Sequence, residues 1–430
     1  MNRRRLLQQT SAALLLMAVA TGPVAAHEAA HGAAPDRDLR AECDDGNALP
    51  SPDCGVAPTP AFDGDGRLWL AFTRNGHIYV THAPGAGEPF APPVAVNRVP
   101  EKIYSDGENR PKLALGPGGE IYVSWARATG PRAGDVRFAR SLDGGQSFER
   151  PQTVNDNRDI IAHSFNSMTV DSEGRIYITW LDRRDAMAAQ ADDQPYPGTA
   201  LYYAVSTDRG AGFAFNRKVA DHACQCCRLA LAVDHDDSVL VLWRHIFPEN
   251  IRDHAIARLT VDGASRGEGN FPVRATYDDW HVEGCPHHGP DMALDAGGIA
   301  HMVWFTAGNR HRGVLYGRVD PEAGEPDGEY VLDASSTASR PQVLIDQERI
   351  YAVWKSFDGE RTQLLLSTSD DLGRNWSSPA ALAYAVDEAD YPLLIRNGDR
   401  LYVSWHTVAE GYRLIPLPTA TIGAHHHHGP

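Results

Sequence analysis

The sequence predicts an all-β protein built as a single β-propeller of four-stranded blades. Three observations carry that reading. Seven aromatic residues, Phe72, Trp125, Trp180, Trp243, Trp304, Trp354 and Trp405, recur every 50 to 63 residues, the length of a four-stranded blade. Each aromatic ends a strand that follows a shorter strand and a Gly/Asp turn. Three eight-residue segments of the form Ser-x-Asp-x-Gly-x-x-aromatic begin at Ser141, Ser206 and Ser369. They keep phase with the aromatic repeat, each following the third strand of its unit, in units two, three and six.

The elements follow in order. Arg3-Arg4-Arg5, an apolar run from Ala12 to Ala20 and Val24-Ala25-Ala26 read as a signal peptide over 1–26. Arg4-Arg5 before Leu6-Leu7 also permits a twin-arginine reading. The expected location is periplasmic or secreted, and no other apolar run is long enough to span a bilayer. Residues 27–57 form an extension in which Cys43 and Cys54 flank a short polar loop and are expected to pair. The propeller then occupies 58–417, and a histidine-rich tail occupies 418–430.

The seven units run Pro60 to Phe72, Arg110 to Trp125, Asn166 to Trp180, Cys227 to Trp243, Gly289 to Trp304, Arg340 to Trp354 and Tyr391 to Trp405. Their turns read Gly116 to Gly119, Asp171 to Gly174, Asp234 to Asp237, Asp295 to Gly298 and Asn397 to Asp399, residues that accept tight-turn dihedrals. Apolar and polar residues alternate in Ile121-Tyr122-Val123-Ser124-Trp125 and again in Leu401-Tyr402-Val403-Ser404-Trp405. The first and last units both hold an inner strand pair, so the count is seven blades. The net charge of -16 argues against nonspecific binding to nucleic acid or anionic membrane.

A propeller gathers the starts of its inner strands and the turns after its second strands at one end of the channel. The strand starts supply Asn109-Arg110, His163, Cys226-Cys227-Arg228, His287-His288, Arg340 and Asp390-Tyr391. The turns supply Arg183-Arg184, Arg244-His245, Arg310, Lys355 and His406. The cationic members point to a small anionic ligand, with Arg110, Arg228, Arg244 and Arg340 as its candidate clamp, because guanidinium forks pair with carboxylate or phosphate. Solvated arginines or salt bridges between blades would give the same pattern.

Cys224-Gln225-Cys226-Cys227 opens the fourth unit and Cys285-Pro286-His287-His288 the fifth, so adjacent blades would bring them together. Cys224, Cys226, Cys227, Cys285, His287 and His288 are therefore candidate ligands of a thiophilic metal, copper ahead of zinc. The same cysteines could instead form two disulfides, giving three with Cys43–Cys54, and then no metal is expected. His27 and His31 would follow the cleavage site, where a terminal histidine can chelate copper with its own amine, and His425 to His428 form a run near the C-terminus.

The three Ser-x-Asp-x-Gly-x-x-aromatic segments resemble the Asp-box, or bacterial neuraminidase repeat, of the sialidase-like β-propellers. The resemblance covers about Pro58 to Leu417 and implies six blades, against the count of seven. It also implies a glycan as ligand and, as an alternative activity, exo-sialidase-type glycoside hydrolysis. On that reading Arg110, Arg244 and Arg340 grip a carboxylate, Tyr391 is the nucleophile with Glu388 as partner, and Asp106 is the acid. Arg110-Pro111 lacks the apolar residue of the sialidase motif. The middle of the chain is similar to uncharacterised bacterial Asp-box proteins in its Cys-x-Cys-Cys element, Trp243-Arg244, Arg252-Asp253, and Trp280 followed by Cys285-Pro286 and Gly289-Pro290. That similarity implies no reaction. A third reading is a non-catalytic binding scaffold.

Overall fold

A computed structural model of the chain describes residues 38–45, 48–265, 272–324 and 326–418. The expected signal peptide, His27, His31 and the run His425 to His428 lie outside the described residues. Seven antiparallel sheets follow one another along the chain. Their inner strands are Val56–Phe62, Lys112–Leu115, His163–Val170, Ala230–Val233, Asp291–Leu294, Ser339–Asp346 and Leu393–Asn397. Each inner strand touches the next, and the seventh touches the first, so the ring closes at seven blades rather than six.

Five blades are plain four-stranded meanders. The outer strand of the fourth is in two pieces, Ala264–Ser265 and Val273–Arg274, both paired to His254–Leu259. The seventh sheet has three strands and ends at Gly411–Pro416. The N-terminal segment lies against that last hairpin. The backbone oxygen of Asp53 accepts from His406 Nε2 at 2.9 Å, and Asp53 Oδ1 accepts from the Tyr412 amide at 3.3 Å. The expected Cys43–Cys54 disulfide is formed, and Arg74 of the first blade donates to the carbonyls of both cysteines. Phe62 against Tyr402 and Phe90 against Tyr412 complete the seam between first and last blades.

The repeating aromatics are the blade centres. All seven sit on second strands and are at most 1 % exposed. The indole N–H groups of the six tryptophans find acceptors, for instance Trp304 on Asp278 and Trp354 on Asp333, both at 2.8 Å. The alternation of Ile121 to Trp125 has a different origin from the one a half-buried strand would give. Every residue in it is buried, Ser124 included. Tyr122 packs toward the third blade, whereas Ile121, Val123 and Trp125 pack toward the first. A propeller strand faces a neighbouring blade on each side, so alternation separates two cores, not core from solvent.

The three Ser-x-Asp-x-Gly turns follow the third strands of blades two, three and six. In each, the serine hydroxyl donates to the aspartate at 2.7–2.8 Å and accepts from the glycine amide at 2.8–2.9 Å. Gly145, Gly210 and Gly373 have φ between +78° and +84° and lie against Trp69, Phe138 and Tyr316 of the preceding blade, where a side chain would collide.

Candidate functional site

The expected hub forms, but its arginines are spent on structure. Arg110 donates to Asp390 at 2.7 Å and to the Pro58 carbonyl at 3.0 Å. Arg244 is 1 % exposed; its terminal nitrogens donate to the carbonyls of Arg252, His288 and Phe305, and its guanidinium lies 4.6 Å from the Trp280 ring centre. Arg228 reaches across the channel mouth to the Pro341 carbonyl at 2.8 Å. Arg340 donates to the His287 carbonyl and to His288 Nδ1.

The partner that organises this cluster is Glu108, a buried carboxylate absent from the sequence-based set. It accepts from the Arg228 amide at 2.6 Å, and its Oε1 lies 3.5 Å from the Arg228 guanidinium and 3.7 Å from that of Arg340. Asp106 folds this loop: its Oδ1 accepts from the amides of Glu108 and Asn109. Its position before the first hub arginine was the only signal for it, and Glu108, two residues on, carried none.

Tyr391 packs on Gly107, with Arg340 and Lys355 over its ring at 4.6 and 5.4 Å. Burial, with Glu108 adding to it, pushes the phenol up to about 12. Glu388 is exposed and lines a separate pocket with Phe357 and Val386. The structure therefore does not pair Tyr391 with Glu388; the carboxylates acting on its phenol are Glu108 and Asp106. Burial also lowers Lys112 to about 7 and Lys355 to about 8, with arginine neighbours acting in the same direction.

The six candidate metal ligands separate into two groups. Cys224, Cys226 and Cys227 are buried and unbridged, and their sulfurs lie within 4.8 Å of one another. Cys224 Sγ is 3.8 Å from that of Cys226 and 3.9 Å from that of Cys227. Arg252 Nη1 approaches Cys224 Sγ at 3.4 Å. Hydrogen bonds from the other two thiols, with Arg244 and Arg252 adding to them, hold Cys224 well below its ordinary value. Its hydrogen bond to Cys224 pushes Cys226 up, and burial pushes Cys227 up.

Cys285 and His287 are not in that cluster. Both are exposed, and Gln225 Nε2 lies 3.6 Å from Cys285 Sγ. His288 is turned away: its ring stacks on Phe305 at 4.1 Å and its Nδ1 accepts from Arg340. Burial, then the adjacent arginines, lower it to about 2, so the ring stays neutral.

A cavity of about 490 Å³ connects these features. Cys226, Cys285 and His287 line it together with Tyr104, Asn109 and Phe165, and its charged lining is Asp106, Arg132 and Arg183. A second cavity of about 580 Å³ adjoins the first, and Arg183 and Gln225 line both. It is built by an insertion in blade three, the helix Arg184–Ala191 and the loop to Gly198, which the strand repeat did not anticipate. Arg183 differs from the four arginines chosen from sequence. Its guanidinium makes no hydrogen bond and no ion pair among the described residues; the unpartnered Nε alone it shares with Arg244. The strand-to-turn position after Trp180 placed it at the hub; nothing in the sequence separated it from Arg110 or Arg244.

No protein-family model and no curated protein matches the chain. Among solved structures it is similar to a PL25 polysaccharide lyase, an ulvan lyase, with a TM-score of 0.55 and 12% identity over 84% of this chain and 93% of that one. A second polysaccharide lyase aligns at 0.53 and 10% identity, over 85% and 90%. A microbial sialidase aligns at 0.44 and 15% identity, over 85% and 74%, too distant to bear on the site. The lyases share the fold. Among the described residues no helix is long and apolar enough to cross a membrane.

Proposed function

We propose that this is an exported binding propeller that holds a soft metal ion, Cu(I), on Cys224, Cys226 and Cys227, in the wall of a cavity that takes an anionic glycan. The observation that supports the metal is the sulfur geometry. Three thiolates about 2.3 Å from a common ion lie about 3.8–4.0 Å apart, in tetrahedral or trigonal geometry. Two of the separations here are 3.8 and 3.9 Å. A structural zinc takes four donors, and among the described residues no histidine, carboxylate or further cysteine joins the three. An all-sulfur, three-donor site favours copper in its soft monovalent state. Arg252 and Arg244 offset the charge of the thiolates, and burial keeps oxidants from the ion.

The glycan half rests on the unpaired Arg183 at the cavity wall and on the polysaccharide lyases that share the fold. The four arginines with structural partners are poorly placed to act as a carboxylate clamp, which leaves the sialidase-type alternative without its grip.

Anaerobic titration with Cu(I) against a bicinchoninate competitor, run beside a free-thiol count, tests the metal. The expected result is one tightly held Cu(I) per chain, lost in Cys226→Ser, with Zn(II) bound more weakly. Wild-type protein that takes up no metal, or in which two of the three thiols are found oxidised to a disulfide, would overturn it.

A further inference from the structure

We infer that the two adjoining cavities form one groove for an internal stretch of an acidic polysaccharide, with Arg183 as the anchor for a carboxylate or sulfate at its centre. The inference rests on the glycan half of the reading above and is independent of the metal.

The first argument is electrostatic accounting. A guanidinium that makes no hydrogen bond or ion pair within the protein keeps its planar fork free for an anion. At this hub Arg110, Arg228, Arg244 and Arg340 each have a carboxylate or carbonyl partner. The Arg183 guanidinium has none on any of its three nitrogens among the described residues, whereas Arg244 shares only the unpartnered Nε. A planar fork of this kind is matched by a carboxylate or a sulfate.

The second argument is shape. Arg183 and Gln225 line both the 490 and the 580 Å³ cavity, so the anchor sits between two binding volumes. A ligand of one sugar would need one of them. A chain gripped at an interior acidic residue would use both, one on each side of the anchor. Tyr104 and Phe165 on the hub side, and Tyr196 on the other, offer apolar faces to sugar rings, and Gln190 offers an amide to hydroxyls. This mixture of aromatic faces and sparse polar groups is typical of a ligand site.

The third argument is provenance. The outer half of the groove exists because blade three carries the insertion 183–198, whereas none of the ring's closure depends on it. Arg184 and Asp185 tie the helix back to the blades through Asp182, Asp156, Tyr202 and Lys218, which fixes the outer wall one residue after the unpaired arginine.

The probes are glucuronate, galacturonate oligomers from dimer to hexamer, polygalacturonate, dextran sulfate and neutral dextran, each titrated calorimetrically against the full chain. Affinity is expected to rise from glucuronate to the hexamer and to be absent for neutral dextran. Arg183→Ala should weaken the acidic chains about 10- to 100-fold, Arg183→Lys should restore part of that, and thermal stability should not change. Asp208→Ala, in a turn outside both cavities, should bind them as wild type does. Affinity equal for monomer and hexamer, with Arg183→Ala still impaired, would overturn the groove while leaving an anionic cavity. No acidic probe bound, or Arg183→Ala binding as wild type, would overturn the glycan reading with it.

Discussion

The Ser-x-Asp-x-Gly turns and the hub cavity are both made of loops, yet they are assembled in opposite ways. Each turn satisfies itself within a few residues: Ser206 Oγ donates to Asp208, the Gly210 amide donates back to Ser206, and Gly212 N donates to Asp208. The hub cavity draws Tyr104 and Asn109, Arg183, Cys226 and His287 from four loops on different blades. A local device can be read from eight letters. A device assembled by the ring requires knowing which cation has already been neutralised by a neighbour. The difference predicts that damage to blade cores and clamps will cost stability, whereas damage to the cavity will cost ligand.

The largest effect should come from the blade centres that both regions depend on. Trp354 is fully buried between blades five and six and donates to Asp333. Trp354→Ala is expected to cost about 3–5 kcal/mol, read as a lowered urea midpoint. A loss under about 1 kcal/mol would mean that blades tolerate empty centres and that the aromatic repeat is not what holds the ring.

That dependence explains how much was legible in the sequence. Seven aromatics at blade spacing gave the ring and its count, because each must fill the same space between neighbouring sheets. The disulfide Cys43–Cys54 was legible from proximity in the chain. The thiol trio was visible because three of its members fall within four residues. The separation of Cys285, His287 and His288 from it was not, because it turns on which way each side chain leaves its loop. His288 stacks on Phe305 and Cys285 reaches Gln225. Glu108 and Arg183 were hidden for the same reason. One is buried by arginines from blades four and six, and the other is left unpaired only because nothing reaches it.

Arginines sharpen the comparison next. Arg244→Ala would leave the carbonyls of Arg252, His288 and Phe305 without their buried donor. The expected cost is about 3 kcal/mol, with Cu(I) held more weakly as well because Arg244 no longer offsets the thiolate charge. Arg183→Ala, by contrast, removes no hydrogen bond or ion pair within the protein and is expected to change stability by less than about 0.5 kcal/mol. Equal costs for the two would erase the distinction between clamp and anchor.

Acid probes the hub by a third route. Burial lowers His245 to about 4 and His288 to about 2, and holds His254 well below its ordinary value. Their folded values lie under the unfolded value of about 6.5, so the unfolded chain takes up protons first. Stability is lost as pH falls below that value, by about 2 kcal/mol for each ring between pH 7 and 5. Asp278 and Asp291 act the other way. Burial raises both to about 6. Their folded values exceed the unfolded one, so falling pH returns about 1 kcal/mol each over the same interval. The histidines win, and urea unfolding should show a net loss of about 4 kcal/mol from pH 7 to 5. A rise in stability over that range would show that these rings are not held neutral.

The smallest effect separates the two regions most cleanly. Asp208→Ala removes the acceptor for Ser206 Oγ and Gly212 N but leaves the backbone carbonyls that Arg140 and Gln152 of blade two bind. Such a local pair of bonds contributes about 1 kcal/mol, and the aromatic Phe213 still packs on Phe138. The variant should therefore unfold at slightly lower urea while binding Cu(I) and acidic oligosaccharides as the wild type does. If instead it lost ligand, the turn of blade three would be coupled to the insertion 183–198 that rises from the same sheet. The turns would then have to be counted as part of the site they otherwise only hold in place.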